Sequence, residues 1–174
     1  GSTELGQGVD TVLSQIAAEI IGTSVDKIKV MNTDTAFTPY DWSTVSSRAT
    51  FFSGNAVKHA VEDVKRQILE VAAANLDASA SNLVCHDNRV WIKQIPEKVL
   101  SFAQIVGMAR NHRVASIIGK GSFSLHKQVK PLDAETGQSP RADAFWMFAT
   151  VAAEVAVDEE TGEVKILKLV IAQD

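Results

Sequence analysis

Gly6, Gln7 and Gly8 stand directly before a long amphipathic run. Two glycines around an amide let a backbone come close to a ligand, and Gln7 offers both a donor and an acceptor. A ring with an alternating donor and acceptor edge suits such an amide. Further on, residues 38–50 read Thr-Pro-Tyr-Asp-Trp-Ser-Thr-Val-Ser-Ser-Arg-Ala-Thr and precede a second long helical pattern. Thr44, Ser46, Ser47 and Thr50 supply hydroxyls, and Arg48 carries a planar fork suited to phosphate oxygens. Both loops feed a helix N-terminus, where free backbone N–H groups and the helix dipole favour an anion or a polar ring. Taken singly, the first loop is equally a turn entering a helix, and the second is ordinary loop and cap material. Together they are more specific.

No other residues assemble a reactive set. Glu4 has no sequence partner and reads as a solvated acid favoured by a helix N-terminus. His59, His86, His112 and His126 lack metal-like spacing or a carboxylate partner. Cys85 lies in a strand pattern and reads as a small buried hydrophobe. Trp42, beside the polar loop, is placed to shield a ligand. Trp91, Trp146, Met31, Met108 and Met147 are expected in the core. No Walker loop, Gly-x-Gly-x-x-Gly or Gly-x-Ser-x-Gly occurs. The expectation is therefore no catalytic residue and no metal ligand within this chain.

The 174 residues suffice for one domain with a sizeable core. A net charge of -4 with scattered Lys and Arg leaves no nucleic-acid footprint. A single cysteine excludes an internal disulfide and any multi-cysteine zinc or iron–sulfur site, and fits a reducing, cytoplasmic setting. No apolar run reaches the roughly 18–20 residues that span a bilayer, so no membrane contact is expected. The chain opens inside a glycine-rich turn without methionine and stops after a strand pattern, as expected of a segment of a longer polypeptide.

The elements that must position the loops follow from periodicity. Val9, Val12, Leu13, Ile16, Ala17, Ile20 and Ile21 share one helical face, and Gly22 suits its end. Residues 27–32 alternate and predict a strand. A second helix is predicted over 53–75, with Val57, Ala60, Val61, Val64, Ile68 and Val71 buried. Asp87-Asn88 predicts a hairpin turn between residues 83–85 and 90–92. Ser101 and Gln104 form a capping-box pattern before a short helix carrying Phe102, Ile105, Val106 and Ala109. Residues 115–125 read as extended and 127–143 as a long exposed loop. Residues 145–157 and 164–172 predict two strands around an acidic turn with Gly162 in a left-handed position. No internal repeat is apparent. The order argues α+β: a mixed sheet with long amphipathic helices packed on one face, in a single domain over 1–174.

The motifs also resemble the molybdenum-binding large subunit of the xanthine dehydrogenase and aldehyde oxidase family. The likeness runs from Gly-x-Thr-Glu-x-Gly-Gln-Gly at 1–8 through residues 27–34 and 44–55 to the hairpin at 158–164. It implies an internal part of that subunit, from its second molybdopterin-binding region. On matching positions it implies cofactor contacts from Gly6, Gln7 and Gly8, with Gln7 bonding the pterin. It implies further contacts from Thr44, Val45, Ser46, Ser47, Arg48 and Ala49. Val45 and Ser46 differ from many relatives, so their contacts would run through the backbone, and Arg48 varies. The cofactor would be molybdopterin, often the cytosine dinucleotide form in bacterial relatives. The partners would be the remainder of the molybdenum subunit together with iron–sulfur and FAD subunits or domains. The family's upstream Phe-Gly-Gly motif and its catalytic glutamate near the subunit's end are absent from these residues. The chain alone is thus expected to be inactive and to hold no cofactor. Its apolar final strand, cut from its neighbours, is expected to drive homodimer formation. The alternative reading is a scaffold or binding domain that keeps the fold without the cofactor. Under the cofactor reading Gln7 and residues 46–49 should lie within about 10–12 Å, one pterin-sized ligand with hydrogen bonds of about 2.9 Å at each end.

Overall fold

The computed structural model describes residues 1–32, 34–42, 44–113, 116–125 and 128–173. Ala115 and His126, named above, lie outside them. The chain forms two compact units, Gly1–Ser124 and Leu125–Asp174.

In the first unit, α1 (Val9–Ile21) buries Val9, Leu13, Ala17, Ala18 and Ile21. Gly22 ends it at φ 81, its N–H bonding Ala18 O, and a Cβ there would meet Cys85 O at 2.8 Å. A five-residue π turn, Ala49–Ser53, runs into α2 (Gly54–Leu76). Gly54 lets α2 meet α1 closely, since a Cβ on it would come within 2.9 Å of Ile16 Cδ1. Lys65 Nζ donates to Ile20 O at 2.6 Å, placing a cation at the C-terminal end of α1. Strands β1 (Leu83–His86), β2 (Arg89–Ile92) and β3 (Ile95–Ser101) make an antiparallel sheet in that order. Asp87 and Asn88, at φ 49 and 58, close the first hairpin as a two-residue turn with both φ positive. The capping box is present: Gln104 Oε1 accepts the Ser101 N–H at 2.8 Å and Ser101 Oγ accepts the Gln104 N–H at 3.3 Å. It opens α3 (Phe102–Arg113), whose Ile105 and Ala109 join Ile68, Val71, Ala72, Leu83, Val90 and Ile92 in the core. Val106, expected beside them, is exposed.

Residues 116–124 run along α2 in the opposite direction. Ile118 O accepts from Gln67 Nε2 at 2.8 Å, and Ser122 O lies 2.9 Å from His59 Nδ1. Phe123 meets Phe51 and Phe52 edge-on. Gly119 and Gly121 permit the approach: a Cβ on Gly119 would sit 2.1 Å from Ala60 O, and one on Gly121 2.0 Å from Ala56 O.

In the second unit, β4 (Ala149–Val157) and β5 (Val164–Gln173) form an antiparallel hairpin. Leu167 is an extra residue, because Glu154 pairs with Lys168 while Val155 pairs with Ile166. Alternation from Lys168 puts Leu167 on the face of Val155, and pairing puts Ile166 there too. One face therefore carries Val151, Ala153, Val155, Val157, Val164, Ile166, Leu167, Leu169 and Ile171. The other carries Thr150, Glu154, Lys165 and Lys168 with Ala152, Ala156, Val170 and Ala172. The Asp133 and Asp158 turns are alike. In each, the aspartate Oδ1 accepts two following N–H groups, including Thr136 or Thr161 at 2.8 Å, before a left-handed glycine. The sequence Asp-x-Glu-Thr-Gly occurs at both places, a repeat too short to stand out along the chain.

The α+β class stands, with the described strands in two antiparallel sheets rather than one mixed sheet. Residues 27–32 form no strand: a 3₁₀ turn, Val25–Lys27, precedes a stretch that joins no sheet, and alternation without a neighbouring strand makes no ladder. β3 lies at a sheet edge, which accommodates Pro96. Trp146, Met31 and Met147 are exposed, contrary to expectation, because the segments that carry them lie outside the packed elements.

Candidate functional site

Residues 1–3 bring the two polar loops together. The Thr3 N–H donates to Thr44 Oγ1 at 2.9 Å, and Ser2 Oγ lies 2.6 Å from Ser53 Oγ at the head of α2. Ser2 is buried at 5% exposure, so this seam is fixed from within. Beside it opens a cavity of about 410 Å³ lined by Leu5, Gln7 and residues 44–50. That volume falls in the range of about 300–1,000 Å³ usual for small-ligand sites. Gln7 thus shares one concavity with Thr44, Val45, Ser46, Ser47, Arg48 and Ala49. Leu5 and Thr50 complete the lining. Leu5 carried no signal in the sequence; Thr50 was legible only as one more hydroxyl.

The first loop is held by its own side chains. Glu4 Oε1 accepts the N–H of Gly6 at 2.8 Å and of Gly8 at 3.0 Å, and Oε2 accepts that of Asp10 at 3.2 Å. These donors, Gly8 foremost, hold the Glu4 carboxyl below its ordinary range. Gln7 Oε1 accepts from the Leu5 N–H at 2.6 Å, and its Nε2 donates to Thr3 O at 3.0 Å. Gly6 and Gly8, at φ 99 and 82, are outside the cavity lining. Their reason for being glycine is the left-handed backbone that lets Glu4 reach both N–H groups. Asn32 Nδ2 also donates to Asp10 Oδ1.

The second loop is strained. Ser46 and Ser47 both have φ 53, a conformation costing about 1–3 kcal/mol per residue that persists only under outside restraint. The restraint next to them is Arg48. Its N–H bonds Val45 O at 3.1 Å, and its guanidinium lies 3.4 Å from Asp41 Oδ1. The same guanidinium lies 5.4 Å from the Trp42 ring and 5.0 Å from that of Phe52. Asp41 Oδ2 lies 3.4 Å from both Ser2 Oγ and Ser53 Oγ. Arg48 therefore serves the wall of the cavity, with its fork turned to Asp41, and Trp42 stacks on Arg48. Asp41 is a site-building residue that sequence reasoning missed; an acid seven positions before Arg48 was the only sign of it. Directly after Arg48 the chain enters the π turn, a feature common at functional sites. Ala49 and Thr50, in its first half, line the cavity. The arrangement offers hydroxyls, an amide and helix-head N–H groups to a polar ligand.

The other candidates stay apart. Cys85 is half-buried with Sγ 3.4 Å from Ile21 O, and burial pushes its thiol up, away from nucleophilic use. No three His, Cys, Asp or Glu side chains gather as a metal site among the described residues. None of the described helices is long and apolar enough to cross a membrane.

The whole chain, residues 1–174, matches the family model described as a molybdopterin cofactor-binding domain. It is 38% identical over 101 residues, 58% of its length, to a putative xanthine dehydrogenase molybdenum-binding subunit of Escherichia coli. It is 25% identical over its full 174 residues to the carbon monoxide dehydrogenase large chain of Hydrogenophaga pseudoflava. These alignments span 13% and 20% of those two proteins. In fold, it resembles a Cu,Mo-CO dehydrogenase (TM-score 0.70, 21% identity, 99% of this chain and 20% of the other). It likewise resembles quinoline 2-oxidoreductase from Pseudomonas putida (TM-score 0.67, 20% identity, 98% of this chain and 20% of the other). The chain belongs to the molybdopterin cofactor-binding domain family.

Proposed function

We propose that this chain is a cofactor-holding portion of a molybdenum-dependent oxidoreductase of the xanthine dehydrogenase type, and that it is inactive alone. The observation that carries this reading is that Gln7 and residues 44–50, far apart in sequence, line one cavity. The lining fits a pterin. Gln7 uses one lone pair and one N–H inside its loop, which leaves one acceptor and one donor site for a ring edge. Thr44 and Ser47 offer hydroxyls, and Val45, Ser46 and Ala49 contribute through their backbone. Gly6 and Gly8 shape the first loop, and Arg48 braces the second. When bound, the cofactor supplies two-electron redox chemistry at molybdenum; this chain supplies one wall of its seat.

The cofactor of this proposal is molybdopterin, in the cytosine dinucleotide form that the family resemblance implies for bacterial relatives. The remaining wall, the acid–base group and the electron acceptors belong to the rest of the molybdenum subunit and to iron–sulfur and FAD partners in the cytoplasm. Elemental analysis and turnover assays test the division of labour. The purified chain is expected to contain no stoichiometric molybdenum and to turn over no purine, aldehyde or N-heterocycle. Stoichiometric metal or turnover by the lone chain contradicts it. A complete subunit that assembles with this segment yet never takes up molybdopterin would favour the scaffold reading instead.

A further inference from the structure

We propose that Glu4 is the positioning residue that presents Gln7 to the cavity. Its carboxylate accepts the N–H groups of Gly6, Gly8 and Asp10 at 2.8, 3.0 and 3.2 Å. Those bonds clamp the backbone on both sides of Gln7. They also stabilise two left-handed residues in three, a run that a free loop has no reason to hold. With the backbone so held, the Gln7 amide folds back on Thr3 O and the Leu5 N–H and keeps its remaining donor and acceptor at the cavity it lines.

A second consequence separates the two loops. Glu4, this chain's own anion, already takes the Gly8 N–H at the head of α1 and the Asp10 N–H in its first turn. The Gly6-Gln7-Gly8 loop is therefore closed to a phosphate and presents an uncharged polar edge instead. Of the anion or polar ring expected at a helix head, the first loop is thereby left the polar ring. Only the identity of what Gln7 touches rests on the cofactor reading; the clamp itself does not.

The test compares this chain with Glu4→Ala, Glu4→Gln and Ala17→Gly by NMR of the Gln7 side-chain NH₂. Ala17 is buried in α1 away from the loop, so Ala17→Gly weakens the same helix without touching the clamp. In Glu4→Ala the Gln7 signals are expected to move towards those of a free glutamine. Their exchange should rise by about fivefold to tenfold, as expected for losing about one hydrogen bond. Glu4→Gln keeps an acceptor for Gly6 and Gly8 but turns an NH₂ towards the Asp10 N–H, and should fall between. Ala17→Gly should lower the melting temperature and leave the Gln7 signals in place. Unchanged Gln7 signals in Glu4→Ala, or equal movement in Ala17→Gly, overturn the positioning role. The cofactor reading is tested apart from this, by molybdopterin uptake in the complete subunit; if the complete subunit takes up none, the cofactor reading falls, while the Gln7 signals still decide the role of Glu4.

Discussion

Gly121→Ala is the sharpest test of how residues 116–124 pack along α2. The added Cβ would lie 2.0 Å from Ala56 O and 2.5 Å from Ala60 N, both backbone atoms of α2. They cannot retreat without opening the helix, so residues 118–123 must lift. Lifting breaks the Ser122 O contact with His59 and the Ile118 O bond from Gln67, both at the surface and worth about 0.5 kcal/mol each. It also withdraws Phe123 from Phe51 and Phe52, at about 1 kcal/mol for each ring pair. Against this loss of about 3 kcal/mol stands a gain of about 0.4–1 kcal/mol from the stiffer unfolded chain. The net expectation is destabilisation by about 2 kcal/mol. Gly107 in α3 is the control: a Cβ there meets nothing within 4 Å. Gly107→Ala should stabilise by about 0.8 kcal/mol, the ordinary helix preference. Urea unfolding followed by helical circular dichroism reads both, since α1, α2 and α3 all lie in the first unit. A Gly121→Ala protein that unfolds at or above the wild-type midpoint would refute the close approach.

Other outcomes follow from the same contacts. Arg48→Lys keeps the charge but loses the planar contact with Trp42 and Phe52; about 1 kcal/mol of stability should go, with a change in Trp42 fluorescence. An unaltered Trp42 spectrum would count against that bracing. The carboxyls of Asp133 and Asp158 are held low chiefly by the N–H groups of Thr136 and Thr161. A depressed folded pKa means stability present above the unfolded value of about 3.9 and lost as pH falls through the lower folded value. The amide shifts of Thr136 and Thr161 should therefore stay constant from neutral pH to about 4 and titrate only below it; midpoints above 4 would contradict the turn geometry. The apolar face of β4 and β5 leaves Val151, Ile166, Leu169 and Ile171 exposed, each above 50%. Light scattering should show self-association, with Leu169→Glu returning the chain to a monomer. A strict wild-type monomer at high concentration would sink this.

What could be read from the sequence was local. The α1 stripe, the Gly22 stop, the Asp87-Asn88 turn and the Ser101 capping box each depend on neighbours within a few positions. Their chemistry is written where they act. Residues 27–32 alternate like a strand, but a ladder needs a partner, and the partner is not written in the segment. β3 escaped notice because Pro96, Glu97 and Lys98 blur its pattern. The nearly unbroken apolar run from Ile166 reads like a strand buried on two sides. The extra residue Leu167 instead gathers consecutive apolar side chains on one face. At the site, residue types pointed to Gln7, Thr44, Ser46, Ser47, Arg48 and Thr50, the family resemblance added Val45 and Ala49, and one cavity is lined by all of them. The clamp by Glu4 and the brace of Arg48 on Asp41 were not legible, because both depend on where side chains turn once the backbone is in place.

The central claim is that Gln7 and residues 44–50 form one wall of a molybdopterin seat. The most direct measurement is a crystal structure of the complete, cofactor-loaded subunit that contains this segment. The Gln7 amide should lie about 3 Å from a pterin heteroatom, with donors from the loop at 46–50 at similar distances. A cofactor bound elsewhere, with Gln7 still turned only to Thr3 and Leu5 and the cavity filled by other protein side chains, would contradict it.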